Sequence, residues 1–230
     1  MPTASFDRQL NVSRQVYELL RDKIQTIELR PGESINERRL SEWLGVSRTP
    51  IREAIRRLSG DGLIEIIPNV GTSVALVDPR RVYEFCVIRR SLECAAVEEA
   101  ALRMTPAIAR QLDRLIDEQD ETIESGDMMR NITVDSAFHR LINETSGFAT
   151  LAEMMQRVMG EILRARHLSI KLPGRLREPI IEHRAIVDAL RAGDPAAASQ
   201  AMRTHLDLSI ASVMHVLDGN PELLTVTAPA

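Results

Sequence analysis

Three histidines and one aspartate are spaced so that a helical domain could bring them to one point. Asp135 and His139 are four residues apart and would share one face of a helix, whereas His183 and His205 fall on two later predicted helices. Imidazole and carboxylate groups bind Zn²⁺, Ni²⁺ and other divalent metals, with coordination positions left open for water or a ligand. A surface Asp–His pair and two unrelated polar histidines have the same spacing, so both interpretations stay open at this point.

A row of arginines in the N-terminal third is the second group of residues that could bind a ligand. Arg48, Arg52 and Arg56 follow one another at four-residue intervals and form a narrow stripe beside the apolar face of one predicted helix. Arg38, early in the preceding short helix, would project to the same side. Such a stripe can read guanine in a major groove or bind phosphates, although a solvated basic face has the same pattern.

Charge is distributed unevenly along the chain of 230 residues, whose net charge is −4. Residues 1–77 contain 11 Lys+Arg and 10 Asp+Glu, which gives +1, and residues 78–230 contain 18 and 23, which gives −5. Within residues 36–57 there are six arginines and three glutamates. Positive charge concentrated in one motif is typical of a modular DNA-binding protein.

The composition, 44% hydrophobic and 27% charged, is that of an ordinary globular protein. Neither a bilayer-spanning apolar run nor a signal-peptide pattern is present, which predicts a cytoplasmic protein without a membrane partner. Cys86 and Cys94 are eight residues apart on one predicted helix. That separation is about 12 Å, too far for a disulfide, so they are predicted to be small core side chains.

The periodicity of residues 8–77 predicts a winged helix-turn-helix of three helices and a small β-hairpin. The first helix is predicted from Val12 to Glu28, the second opens at Asn36 and ends at Gly45, and the third is capped by Ser47. Two β-branched runs, residues 63–67 and 72–77, flank a Pro-Asn-Val-Gly turn and predict the hairpin.

Residues 78–222 are helical in period throughout and predict a second domain, an all-α antiparallel bundle of about six helices. The fold class is therefore mainly α. The predicted helices cover residues 79–103, 106–125, 127–143, 148–170, 175–192 and 195–217.

The N-terminal motif closely resembles the GntR family of regulators. The resemblance covers residues 12–77 and lies in the run from Val46 to Leu58, in Asp-Gly-Leu-Ile at 61–64 and in Gly-Thr-Ser-Val at 71–74. It implies that arginines of the second and third helices contact double-stranded operator DNA and that the wing tip approaches the minor groove. The residues so implied are Arg38, Arg48 and Arg52, with Thr49 and Arg56 as weaker phosphate contacts, and Asn69 and Gly71 in the wing.

The second domain resembles the FCD ligand-binding domain of the FadR subfamily. The resemblance lies in Asp135-x-x-Phe138-His139, in Glu182-His183-x-x-Ile186 and in Met202-x-x-His205. It implies that Asp135, His139, His183 and His205 hold a divalent metal, with Zn²⁺ or Ni²⁺ favoured. It also implies that Arg89 grips the carboxylate of an effector, although an intrahelical pair with Glu93 is an equally simple expectation.

The sequence therefore predicts a transcription regulator, a repressor controlled by a small carboxylate effector, which acts as a homodimer on an inverted-repeat operator. One alternative is a purely structural metal with no effector. A metal-dependent hydrolase is the other, but helical phosphohydrolases need an adjacent His-Asp pair, and arginine follows both His139 and His183. Glu182 is expected to point to another helix face, which would leave no general base near the ligands.

Overall fold

The computed structural model describes residues 11–168, 170 and 175–219, and these divide into two compact units between Asp78 and Pro79. The first unit has three helices and two strands, and the second has six helices within the described residues. The prediction of a mainly α fold with an N-terminal winged helix-turn-helix is thereby confirmed. The predicted outer domain limits, residues 8 and 222, lie outside the described residues.

The first unit follows the predicted order of elements. Its bounds are α1 Val12–Gln25, α2 Glu37–Leu44, α3 Arg48–Gly60, β1 Ile64–Ile67 and β2 Gly71–Val74. The Asn36 side chain accepts hydrogen bonds from the backbone N–H groups of Arg38 and Arg39, so it caps α2 as predicted. Ser47 stands at the cap position of α3 without a side-chain hydrogen bond to the helix. The strands pair antiparallel from Ile64↔Val74 to Ile67↔Gly71.

The first helix ends three residues before the predicted Glu28. Ile27 has φ 62°, a left-handed conformation that an α-helix cannot contain, and the Leu29 N–H bonds back to the Lys23 carbonyl. The apolar pattern of the sequence continues past the end of the helix, because Ile27 and Leu29 in the turn are also apolar residues. Periodicity alone therefore overestimates the length of the helix.

Tyr17 connects α1 to the end of α3. Its hydroxyl donates to the Asp61 carboxylate at 2.7 Å, and the Arg57 guanidinium lies 4.0 Å from the centre of its ring. Burial and the hydrogen bond to Asp61 raise the pKa of the phenol. Arg57 is thus engaged in packing within the unit.

The second unit is a bundle whose core is shared by five of its helices. Its bounds are α4 Pro79–Leu102, α5 Pro106–Ser125, α6 Met128–Thr145, α7 Ala149–Leu168, α8 Glu178–Ala192 and α9 Pro195–Gly219. The long helices α4 and α9 pack against each other most extensively, and α7 lies on α4 over Leu151 and Met155. Cys86 and Cys94 are buried free thiols of α4, consistent with their prediction as core side chains.

Gly45 and Gly60 offer a matched test of the turn between α2 and α3. Gly45 has φ +65° and Gly60 has an ordinary helical backbone, while an added Cβ would meet nothing within 4 Å at either site. Gly45→Ala should destabilise the first unit by about 1 kcal/mol because alanine is strained in the left-handed region. Gly60→Ala should leave stability unchanged or raise it by about 0.5 kcal/mol.

Urea unfolding followed by the fluorescence of Trp43, the single tryptophan of the chain, reports on this unit alone. Equal midpoints for the two alanine variants would show that the left-handed turn does not constrain the motif.

Candidate functional site

His139 of α6, His183 of α8 and His205 of α9 meet in the interior of the bundle. One ring nitrogen of each lies within 4.8 Å of the others, and all three side chains are buried. The Nε2 atoms of His183 and His205 are 3.4 Å apart. Three of the four residues predicted to converge therefore form one compact cluster.

Each histidine donates its Nδ1–H to an oxygen from another helix. The pairs are His139 with Glu93 Oε2 (2.5 Å), His183 with Gln119 Oε1 (2.8 Å) and His205 with Glu182 Oε2 (2.8 Å). Because these oxygens can only accept, a proton is held on Nδ1 of each ring, which leaves Nε2 as the nitrogen that a metal would bind. The three rings are thereby oriented as metal ligands are.

The donor set fits a divalent cation. His139 Nε2 is buried and has no hydrogen-bond partner among the described residues. Burial and the neighbouring His205 hold the pKa of His183 well below its usual value, so this ring is neutral. Buried acceptors that face one another without a donor are costly, and one cation would satisfy them all.

Asp135 lies beside the three histidines, with its Oδ1 atom 3.8 Å from His183 Nε2. The carboxylate accepts hydrogen bonds from Gln119 (3.2 Å) and from Arg166 (2.5 Å). Burial opposes its ionisation, but the charge of Arg166 outweighs this and holds the pKa well below the usual range. The predicted fourth ligand is thus an ionised carboxylate next to the cluster.

Arg89 and Glu93 form a buried pair in α4, next to the same cluster. Arg89 Nε donates to Glu93 Oε1 at 2.6 Å, while the other oxygen of Glu93 holds His139. Burial disfavours the Glu93 carboxylate, yet Arg89 and His139 lower its pKa to about 2. Arg89 Nη2 remains buried without a partner among the described residues. Both expectations for Arg89 are therefore compatible: it pairs with Glu93 and still has a donor to offer.

A cavity of about 160 Å³ opens beside this cluster, within the second unit. Arg89, Asp135 and His205 line it, together with Arg166 and Arg175. The site residues and the cavity are therefore one continuous feature of the described structure.

Two side chains of the cluster were not anticipated from the sequence in these roles. Glu182 was expected to point away from the ligands, but it contacts His205 and pairs with Arg175. Gln119 of α5 holds both His183 and Asp135, and no sequence motif marks it. Its role follows only from the packing of α5 against α6 and α8, which residue spacing does not encode.

The residues implied in DNA contact all lie on the surface of the first unit. They are Arg38, Arg48, Thr49, Arg52, Arg56, Asn69 and Gly71. Arg52 donates to Glu37 across α2 and α3 at 2.7 Å, and Arg38 donates to Glu42 at 3.0 Å. Asn69 has φ 62° and Gly71 has φ 149°, so both residues of the wing turn have a positive φ, which glycine adopts without steric cost.

Comparison with known proteins resolves the class of the chain. Residues 12–74 match the family of bacterial regulatory proteins called gntR, and residues 84–208 match the FCD domain. The chain belongs to the GntR family. It is a transcription regulator and not an enzyme, as predicted, and the hydrolase alternative is excluded by this match. The narrower assignment to the FadR subfamily stays a prediction.

Relatives of similar length support this assignment. An uncharacterised HTH-type transcriptional regulator of Streptomyces ambofaciens is 31% identical over 94% of this chain and 90% of its own. The HTH-type transcriptional repressor RspR of Escherichia coli is 28% identical over 94% of this chain and 96% of its own. The solved structure of E. coli McbR/YncC has a TM-score of 0.79 at 28% identity and covers 90% of this GntR-family chain and 98% of its own. No helix in the described part is apolar and long enough to cross a membrane.

Glu93 should be the most sensitive side chain of α4. Glu93→Gln leaves the buried Arg89 without its counter-charge, and breaking one side of a buried pair costs about 3–5 kcal/mol. Thermal unfolding in the presence of a chelator should therefore show a lower melting temperature for the second unit than for wild type. Glu98→Gln, on the exposed side of the same helix, is the control and should leave it unchanged. Equal melting temperatures for both variants would mean that the pair contributes nothing to stability.

Proposed function

We propose that this GntR-family chain is a repressor dimer whose affinity for an inverted-repeat operator changes when a small organic acid binds beside a metal in the second unit. One observation carries the proposal. Three histidine rings, each held at Nδ1 by an oxygen, converge beside a cavity that Arg89 lines, and Arg89 Nη2 is buried without a partner among the described residues.

His139, His183 and His205 would hold the metal, with Asp135 as the fourth ligand and Zn²⁺ or Ni²⁺ as the ion. Three neutral imidazoles and one carboxylate leave a divalent ion with net positive charge. When bound, the metal supplies that charge and an exchangeable coordination position. Arg89 orients the effector carboxylate toward this position because a guanidinium binds carboxylates with directional N–H groups.

Glu93 connects the two halves of the proposed site. One of its oxygens holds the effector arginine at 2.6 Å, and the other holds a metal-ligating histidine at 2.5 Å. A carboxylate that serves both residues fixes their distance and their orientation. The metal and the effector arginine are therefore positioned by the same buried side chain.

The proposed DNA contacts use two parts of the first unit. Arg48 and Arg52 at the start of α3 would enter the major groove, with Arg38, Thr49 and Arg56 at the backbone, and Asn69 and Gly71 would approach the minor groove. Residues 63–77 contain no lysine or arginine, so the wing would contribute no charged phosphate contact. Two copies of the motif suit a two-fold operator, and the relative named as a repressor supports repression as the output.

Metal content tests the proposed ligands directly. Protein purified without a polyhistidine tag should carry about one metal ion per chain by elemental analysis, the stoichiometry expected of a tightly held site. His183→Ala and His205→Ala should each deplete the metal, and chelation should lower the melting temperature because a ligand specific to the folded state stabilises it.

His215→Ala is the matched control for that experiment, since His215 lies exposed on the same helix as His205. It should retain the metal and the wild-type melting temperature. If wild-type protein holds no stoichiometric metal, and added Zn²⁺ or Ni²⁺ leaves its melting temperature unmoved, the metal and the effector model fail together.

Operator binding tests the proposed arginines. With a duplex selected from random sequences by the wild-type protein, Arg48→Ala and Arg52→Ala should each weaken binding by about 1–3 kcal/mol if the contact is to a base. A phosphate contact would instead weaken all sequences alike and reduce the salt dependence of binding.

Arg110→Ala, an exposed arginine of α5, is the control and should bind like wild type. Sedimentation of the wild-type complex should give two chains per duplex. Full affinity of both N-terminal variants would contradict the major-groove assignment.

A further inference from the structure

We infer that the effector is a compact monocarboxylate with an apolar body, rather than a polyhydroxylated or multiply charged acid. This inference rests on the proposed function, because it identifies the chemical class that the same site would take. It follows from the charges, the polarity gradient and the volume of the cavity in the second unit.

The charges of the cavity are already largely paired within the protein. Arg166 is paired with Asp135, Arg175 with Glu182, and Arg89 with Glu93 through its Nε atom. Arg89 Nη2 is the one buried guanidinium nitrogen of the described lining that lacks a partner. A single carboxylate would satisfy it, whereas a second anionic group would meet arginines that already have carboxylate partners.

The wall of the cavity changes from polar to apolar along α9. On α9 the lining residues run from His205 through Ser209 and Ser212 to Val213 and Val216. Eleven residues of helix span roughly 16 Å, so the valines lie far from the histidine cluster.

On α6 the lining residues are Asp135, Ile132, Asn131 and Met128, so Ile132 and Met128 add apolar surface and Asn131 adds a polar group. Leu176 and Pro179 add further apolar surface to the lining. A ligand whose carboxylate lies at Arg89 therefore places the rest of its body along an apolar wall.

The volume limits the size of that body. A cavity of about 160 Å³ is close to the roughly 150 Å³ of an apolar cavity that holds one benzene molecule. Hydroxyl groups placed against Val213, Val216 and Met128 would lose their water partners without gaining new ones. Such groups should weaken binding about 10-fold or more, so the far wall disfavours a sugar acid.

A matched series of acids tests this inference on metal-loaded, full-length protein. Benzoate and 3-methylbutanoate represent the proposed class, gluconate and citrate represent the polyhydroxylated and multiply charged acids, and benzamide is the uncharged analogue of benzoate. Isothermal titration should give benzoate or 3-methylbutanoate a Kd at least about 10-fold lower than gluconate, citrate and benzamide. The same compound should change the affinity of the protein for its selected operator.

Two variants test which end of the cavity determines ligand selectivity. Val213→Thr keeps the shape of the side chain but adds a hydroxyl. It should therefore weaken the binding of benzoate and reduce the difference in affinity between benzoate and gluconate. Ala211→Ser, at an exposed position of the same helix, is the control and should leave all affinities unchanged. Arg89→Gln should reduce binding of every carboxylate toward that of benzamide.

The outcomes separate this inference from the proposed function. Tighter binding of gluconate or citrate, still dependent on Arg89 and still altering operator affinity, would overturn the apolar class and leave the proposed function intact. If no acid of either kind binds metal-loaded protein or alters its operator affinity, the apolar class and the organic-acid effector are both overturned.

Discussion

The packing of the second unit is constrained by three buried histidines, because each of them needs a hydrogen-bond partner from another helix. Each imidazole is fixed in orientation by an acceptor for its Nδ1–H, and these acceptors come from α4, α5 and α8. The histidines themselves come from α6, α8 and α9. Five of the six described helices of the unit are therefore committed to one polar centre, which sets the register in which they pack.

This arrangement explains why so many charged groups are tolerated in the core. Arg89, Glu93 and Asp135 would each be expensive to bury alone, yet each has an opposite charge or a hydrogen-bond partner at 2.5–3.2 Å. A buried pair adds little net stability by itself, and its value lies in fixing one geometry. The polar centre is thus better understood as a positioning device than as a source of stability.

The sequence predicted the elements and the convergence of the three histidines better than the surroundings of the site. Periodicity and the Gly and Pro positions located the winged motif and the six later helices, because helix boundaries have local causes such as the Asn36 cap and the Gly45 turn. The three histidines were found because residue type limits their chemistry. Gln119 could not be found, since its function depends on which helices become neighbours. The orientation of Glu182 was predicted wrongly, because its position next to His183 in the sequence does not show that α9, which carries His205, packs against its side chain.

Under the proposed function, an effector would act on the operator only by binding one arrangement of the proposed dimer more tightly than another. To change a population from 1:99 to 99:1, that preference must be about 10⁴-fold. A compact acid has few atoms with which to supply such a difference, so its contacts must differ strongly between the two arrangements. Helix α9 is suited to this, because His205 anchors it at the histidine cluster while Val213 and Val216 line the cavity farther along. Contact between an apolar body and that part of α9 would favour one position of the helix relative to the fixed histidine, which gives the ligand a structural element to bias.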